Sequence, residues 1–170
     1  MNISNNGIDT AQLETVFINC FGESHRTRVR GRAEEPFYAP AADAGWAEIH
    51  YRHDYIRSLL HEVAHWCLAG EDRRRLSDYG YWYQPDNRDA TAQAGFYAVE
   101  ARPQALEQLF CEALDLPFSA SIDRPGGDVE PAEEALFSAR IGLQRARYLT
   151  EGLPERGAVF HRQLRLQALG

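Results

Sequence analysis

An α+β architecture, rich in helix with one small sheet and a central helix bearing an HExxH motif, follows from three features of the 170-residue chain. Apolar residues recur at helical spacing in several separate stretches, and "WAEIHYR" alternates apolar with polar side chains. No internal repeat or Pro/Gly/Ser-rich linker divides the sequence. The length suits a single domain over residues 1–170, with enough chain to bury a core without disulfides.

The first helix is predicted in "DTAQLETVFINCF", where Leu13, Val16, Phe17, Cys20 and Phe21 share a face. Asp9 is placed to cap it, Gln12 three residues on completes a capping box, and Gly22 stands just past the expected end. Short strands are expected over residues 26–52, with Ala47, Ile49 and Tyr51 on one face and Glu48, His50 and Arg52 on the other. Arg26, Arg28, Arg30 and Arg32 form a basic strip there; in a chain of net charge −7 this reads as a solvated edge strand and not a nucleic-acid contact.

Helical period returns in "DYIRSLLHEVAHWCLAG" through Ile56, Leu59, Leu60, Val63 and Cys67, with Asp54 as expected cap and Gly70 as stop. Trp66 reads as core. "LSDYGYWYQPDNRD" follows no helical stripe and is expected as a strand or loop beside the motif. Asp89 is expected to start a short helix through Phe96 and Val99, and Pro103 to open another carrying Leu106, Leu109, Phe110, Ala113 and Leu114. After the turn-rich "SASIDRPGGDVEP", two last helices are expected, Pro131 to about Thr150 and about Arg156 to Leu169, separated by "EGLP".

Composition narrows the function. No apolar run approaches the roughly 20 residues that cross a bilayer, and "MNISNNGIDT" lacks the basic and apolar regions of a secretory signal, so a cytoplasmic protein without a membrane role is expected. Cys20, Cys67 and Cys111 have no CxxC spacing and read as reduced core thiols. The acidic balance argues against a nucleic-acid partner. All 18 basic residues are arginine, which genomic codon bias explains, although an enzyme that modifies lysine would also be spared self-reaction.

The motif itself is "HEVAH". On a helix, positions i and i+4 lie on one face with Cβ atoms about 6 Å apart, so His61 and His65 can share one divalent cation. Glu62 sits about a quarter-turn away, better placed to contact a bound water or orient a ligand than to join the histidines. Two histidines and a glutamate on so apolar a helix would be costly to bury without a cation or hydrogen-bond partners. The third ligand must come from elsewhere; Asp78, Asp86, Asp89, Glu100, Glu107 and Glu112 are the downstream acids. Glu100 is favoured, because it ends the apolar "FYAV" and precedes Arg102-Pro103, near an expected helix boundary. Such a set serves hydrolytic Zn²⁺ with Glu62 as general base, and equally Fe(II), whose open positions take O₂ and substrate.

The surrounding words carry more information. "HEVAHWCLAG", "RRLSDYGYWYQPDNRD", "VEARPQALEQLFC", "GGDVEP" and the late "YLTEGLPER" resemble, in wording and order, the bacterial elongation factor P hydroxylase family over roughly residues 50–165. The resemblance implies a metal-dependent oxygenase of the non-haem-iron type that hydroxylates the lysine of elongation factor P after a β-lysyl group has been attached. By matching motif it implies His61, His65 and Glu100 as ligands, leaves Glu62 between ligand and supporting group, and lets the block from Asp78 to Asp89 line the substrate channel. A β-lysyl-lysine carries two amino groups, which Asp78, Asp86 and Asp89 with the rings of Tyr81, Trp82 and Tyr83 would receive through ion pairs and cation–π contacts. The competing expectations are a zinc peptidase, and a non-catalytic domain that docks on a translation factor through a structural metal cluster.

Overall fold

A computed structural model describes residues 7–81, 90–122 and 129–169. Five α-helices and a three-stranded sheet make up its regular structure among those residues, an α+β arrangement as expected. Helix α1, Thr10–His25, begins at the foreseen capping box: the Asp9 side chain accepts from the Gln12 backbone N–H, and the Gln12 side chain accepts from that of Asp9, both at 2.8 Å. It continues past Gly22 and ends at Arg26 in the left-handed region, with φ 47°. Gly22 lies buried inside the helix, where the Trp46 ring approaches to 3.5 Å of a Cβ position.

Strands β1 (Thr27–Ala33), β2 (Phe37–Ala39) and β3 (Ala47–Arg52) pair in the order β1-β3-β2, with β3 parallel to β1 and antiparallel to β2. Ala47, Ile49 and Tyr51 are buried while Glu48, His50 and Arg52 face outward, as the alternation required. Of the arginine strip, Arg28, Arg30 and Arg32 lie on the edge strand β1, and Arg26 precedes it as the C-terminal cap of α1. Arg28 and Arg30 both donate to Glu48, and Arg32 is 3.9 Å from Asp54.

Helix α2, Ile56–Leu68, carries the HExxH residues and packs against β3, α3 and α5. Leu59, Leu60, Val63, Ala64 and Trp66 have no exposed surface; each fully buried large side chain contributes about 1.5–3 kcal/mol, so packing holds the helix in place. Asp54 does not cap it. Tyr55 occupies the cap position without a side-chain bond, one residue too late for Asp54 to reach the first turn. Two single-turn 3₁₀ helices, Arg73–Arg75 and Ser77–Gly80, follow, with positive φ at Asp78, Tyr79 and Gly80.

The two helices expected around Pro103 are one: α3 runs Ala90–Ala113 with Pro103 inside. A proline there forfeits one helical hydrogen bond, but the flanking Ala101, Gln104, Ala105 and Leu106 are buried against neighbouring helices, and that burial outweighs the local penalty. The expected start at Asp89 lies outside the described residues. Helices α4 (Pro131–Glu151) and α5 (Glu155–Ala168) agree with expectation to within a residue, broken at Gly152 with φ 98°. No described helix is long and apolar enough to cross a membrane. Cys67 and Cys111 are buried, Cys20 is half-buried, and all three thiols are free.

Candidate metal centre

The centre forms where two polar stripes meet. Arg57, His61 and His65 follow one another at four-residue spacing along α2, and Glu100, Gln104 and Glu107 occupy one face of α3. The helices pack so that these stripes face each other across an otherwise apolar contact.

The Nε2 atoms of His61 and His65 lie 3.1 Å apart. Glu100 reaches both, with Oε2 3.4 Å from His61 Nε2 and Oε1 3.2 Å from His65 Nε2. Donor atoms from these three residues lie within 4.8 Å of one another, close enough to converge on a single ion, and two imidazoles with one carboxylate suit Fe(II) or Zn²⁺. Glu100 is buried, and it lies in the middle of α3, not at the helix boundary expected from Pro103.

The electrostatics match a cation site. Burial alone would lower the His61 pKa, but the hydrogen bond and charge of Glu107, with Glu100 and Glu62 beyond, raise it to about 10 when protons are the only cations available. Burial would raise the Glu100 carboxyl, yet the two histidines and a hydrogen bond from Gln104 pull it down to about 2. Glu62 behaves differently. Burial raises its pKa, His61 and His65 oppose, and the Glu100 and Asp78 carboxylates push further upward.

A cavity of about 680 Å³ opens onto the three donors, and Glu62, Asp78, Tyr81 and Phe96 are among its walls. Asp78 thus lines the cavity, and its Oδ1 accepts the Tyr38 backbone N–H at 2.8 Å and so occupies the free edge of β2. Tyr81 is half-buried, with the Arg73 guanidinium 4.6 Å from its ring centroid. Trp82, Tyr83, Asp86 and Asp89 lie outside the described residues. Of the other acids, Glu112 pairs with Arg145 away from the site at 2.8 Å, and Glu107 points at the far nitrogen of His61. Trp66 is core, as expected.

Arg57, Gln104 and the supporting position of Glu107 escaped the sequence reading. The available signal was a polar residue at every turn of two apolar helices, Arg57 one turn before His61 and Gln104 one turn after Glu100.

Fold and site together define an α+β protein organised around a two-histidine, one-carboxylate cluster that lines a cavity. Residues 16–167 match the family model described as elongation factor P hydroxylase. A relative from Haemophilus influenzae named "Elongation factor P lysine hydroxylase" is 37% identical over 150 residues, covering 88% of this chain and 83% of its own. The chain belongs to the elongation factor P hydroxylase family.

Proposed function

We propose that this protein is a metal-dependent monooxygenase that hydroxylates the β-lysylated lysine of elongation factor P in the cytoplasm, acting as one domain over residues 1–170 without nucleic-acid or membrane partners. The observation that carries the reading is the convergence of His61, His65 and Glu100 in the wall of the cavity, in a chain of this family. Those three side chains would hold the divalent metal. Fe(II) in such a donor set would supply the activation of O₂, the cosubstrate from which one oxygen atom enters the substrate while the other leaves as water, with two electrons drawn from an external reductant.

The protein's own residues do the rest. The cavity, at about 680 Å³, has room for an aminoalkyl side chain beside the donors. Glu62, in the cavity wall beside His61 and His65, is placed to hold or release a proton at the reacting end of that chain. The Asp78 oxygen not committed to Tyr38 and the ring of Tyr81 meet a substrate ammonium; Trp82, Asp86 and Asp89 are proposed as substrate-binding residues on the family resemblance alone. Zinc in the same donor set, with Glu62 as general base, is the alternative chemistry.

The test is the intact mass of β-lysylated elongation factor P co-produced with this protein or with its His61→Ala, His65→Ala variant. One added oxygen that disappears with the variant is the expected result. No added oxygen, on substrate verified as β-lysylated and enzyme verified as metal-loaded, overturns the reading and directs attention to zinc content and peptide cleavage.

A further inference from the structure

His61 uses only one of its two nitrogens toward the candidate metal position. The other, Nδ1, lies 2.9 Å from Oε2 of Glu107, whose side chain is 2% exposed. The remaining Glu107 oxygen is held by Arg57, through Nε at 3.0 Å and through Nη2. Arg57 is fixed in turn: it donates to the Ser119 hydroxyl at 3.0 Å and to the Ser119 carbonyl at 2.8 Å, and lies 4.9 Å from the Phe118 ring centroid. The same strap of chain, residues 118–122, clasps Gln104 through two bonds to Ser121, at 2.7 and 2.8 Å, and Gln104 hydrogen-bonds Glu100.

A buried carboxylate with Arg57 alone would be a structural ion pair. Its second oxygen instead meets an imidazole nitrogen, and a neutral histidine that offers Nε2 to a metal must carry its proton on Nδ1. A carboxylate accepting that proton fixes tautomer and ring rotation together, and makes Nε2 a stronger donor.

We propose that Glu107, anchored by Arg57 and the 118–122 strap, is a positioning residue for His61, holding it as the Nδ1–H tautomer with Nε2 aimed into the centre. This rests on the reading of His61 as a metal ligand.

Titration of the metal-free protein with Co²⁺, followed by its visible absorption, tests the role apart from turnover. Glu107→Ala is expected to weaken binding by about 100-fold and to alter the Co²⁺ spectrum, while Glu107→Gln, whose amide oxygen still accepts from Nδ1, loses about 10-fold. Arg57→Gln, which leaves Glu107 in place but unanchored, falls between Glu107→Gln and the unaltered protein, and carries the comparison if Glu107→Ala does not fold. Folded Glu107 and Arg57 variants that bind Co²⁺ with unchanged affinity and spectrum, while His61→Ala, His65→Ala abolishes binding, overturn the positioning role and leave the ligand assignment standing. Co²⁺ binding that is indifferent to His61→Ala, His65→Ala overturns both.

Discussion

Arg156 lies over Trp66, its guanidinium carbon 4.8 Å from the ring centroid, and reaches past the ring to the carbonyls at the end of α2. One of its nitrogens donates to Trp66 O at 3.0 Å, Cys67 O at 3.1 Å and Ala69 O at 2.6 Å, and Arg74 adds a bond to Ala69 O at 2.7 Å. The last carbonyls of a helix have no partner within it, and cations at that end also oppose its dipole. The helix that carries His61 and His65 is therefore closed at its C-terminus by an arginine from α5.

Arg156→Ala removes those bonds and the cation–π contact, and should cost about 2–3 kcal/mol of stability in urea denaturation. Arg156→Lys, lacking the planar fork, should recover less than half of that loss. An unchanged unfolding midpoint in the alanine variant would show that water replaces the arginine.

Glu100 and Glu112 were both candidates for the third donor, and their surroundings now separate them. Glu100→Gln should abolish stoichiometric metal retention, because it replaces the carboxylate facing both Nε2 atoms. Glu112→Gln should retain the metal, since it disturbs only contacts with Arg145 and Gln108 away from the centre. Elemental analysis of the two purified variants checks this, and equal metal content in both would remove Glu100 from the set.

Glu48 gives the sheet a defined acid sensitivity. Burial raises its pKa, but hydrogen bonds from Arg28, Arg30 and His50 outweigh that and bring it down from an ordinary 4.5 to about 2. The folded value lies below the unfolded one, so the contribution is present above about 4.5 and is lost as the pH falls toward about 2. Unfolding midpoints of the unaltered protein and Glu48→Gln should differ near neutral pH and converge through that window. Solvent screening keeps the gap to about 1 kcal/mol or less.

Pro103 sits one turn beyond Glu100 in an uninterrupted helix. It supplies no N–H for the Val99 carbonyl, so Pro103→Ala should stabilise the protein by about 1–2 kcal/mol after the lost ring packing is discounted. Calorimetry reads this directly. A lower Tm would mean that α3 depends on the shape the proline imposes.

Much of this architecture was legible because its causes are local. The Asp9–Gln12 capping box spans three residues, the alternation from Ala47 to Arg52 needs only the pleat, and "EGLP" breaks α4 from α5 wherever they pack. The misreadings share the opposite cause. Pro103 and Gly22 have local preferences to end helices, and burial of the neighbouring turns overrides both. Asp54 has the right chemistry for a cap and the wrong position by one residue.

The centre divides in the same way. The pairing of His61 with His65 is a property of α-helical geometry, and the motif alone implies two donors on one face. Which of six downstream acids completes the set is not a local property: the rotation of α3 about its axis is set by packing against α2, α4 and α5, and that rotation turns Glu100 toward the Nε2 atoms, Glu107 toward Nδ1 and Glu112 toward Arg145. His61 and Glu107 are 46 residues apart in sequence, and no short-range pattern joins them. The shared face of His61 and His65 follows from a 3.6-residue turn; the approach of Glu100 and Glu107 to them follows from how two apolar faces pack.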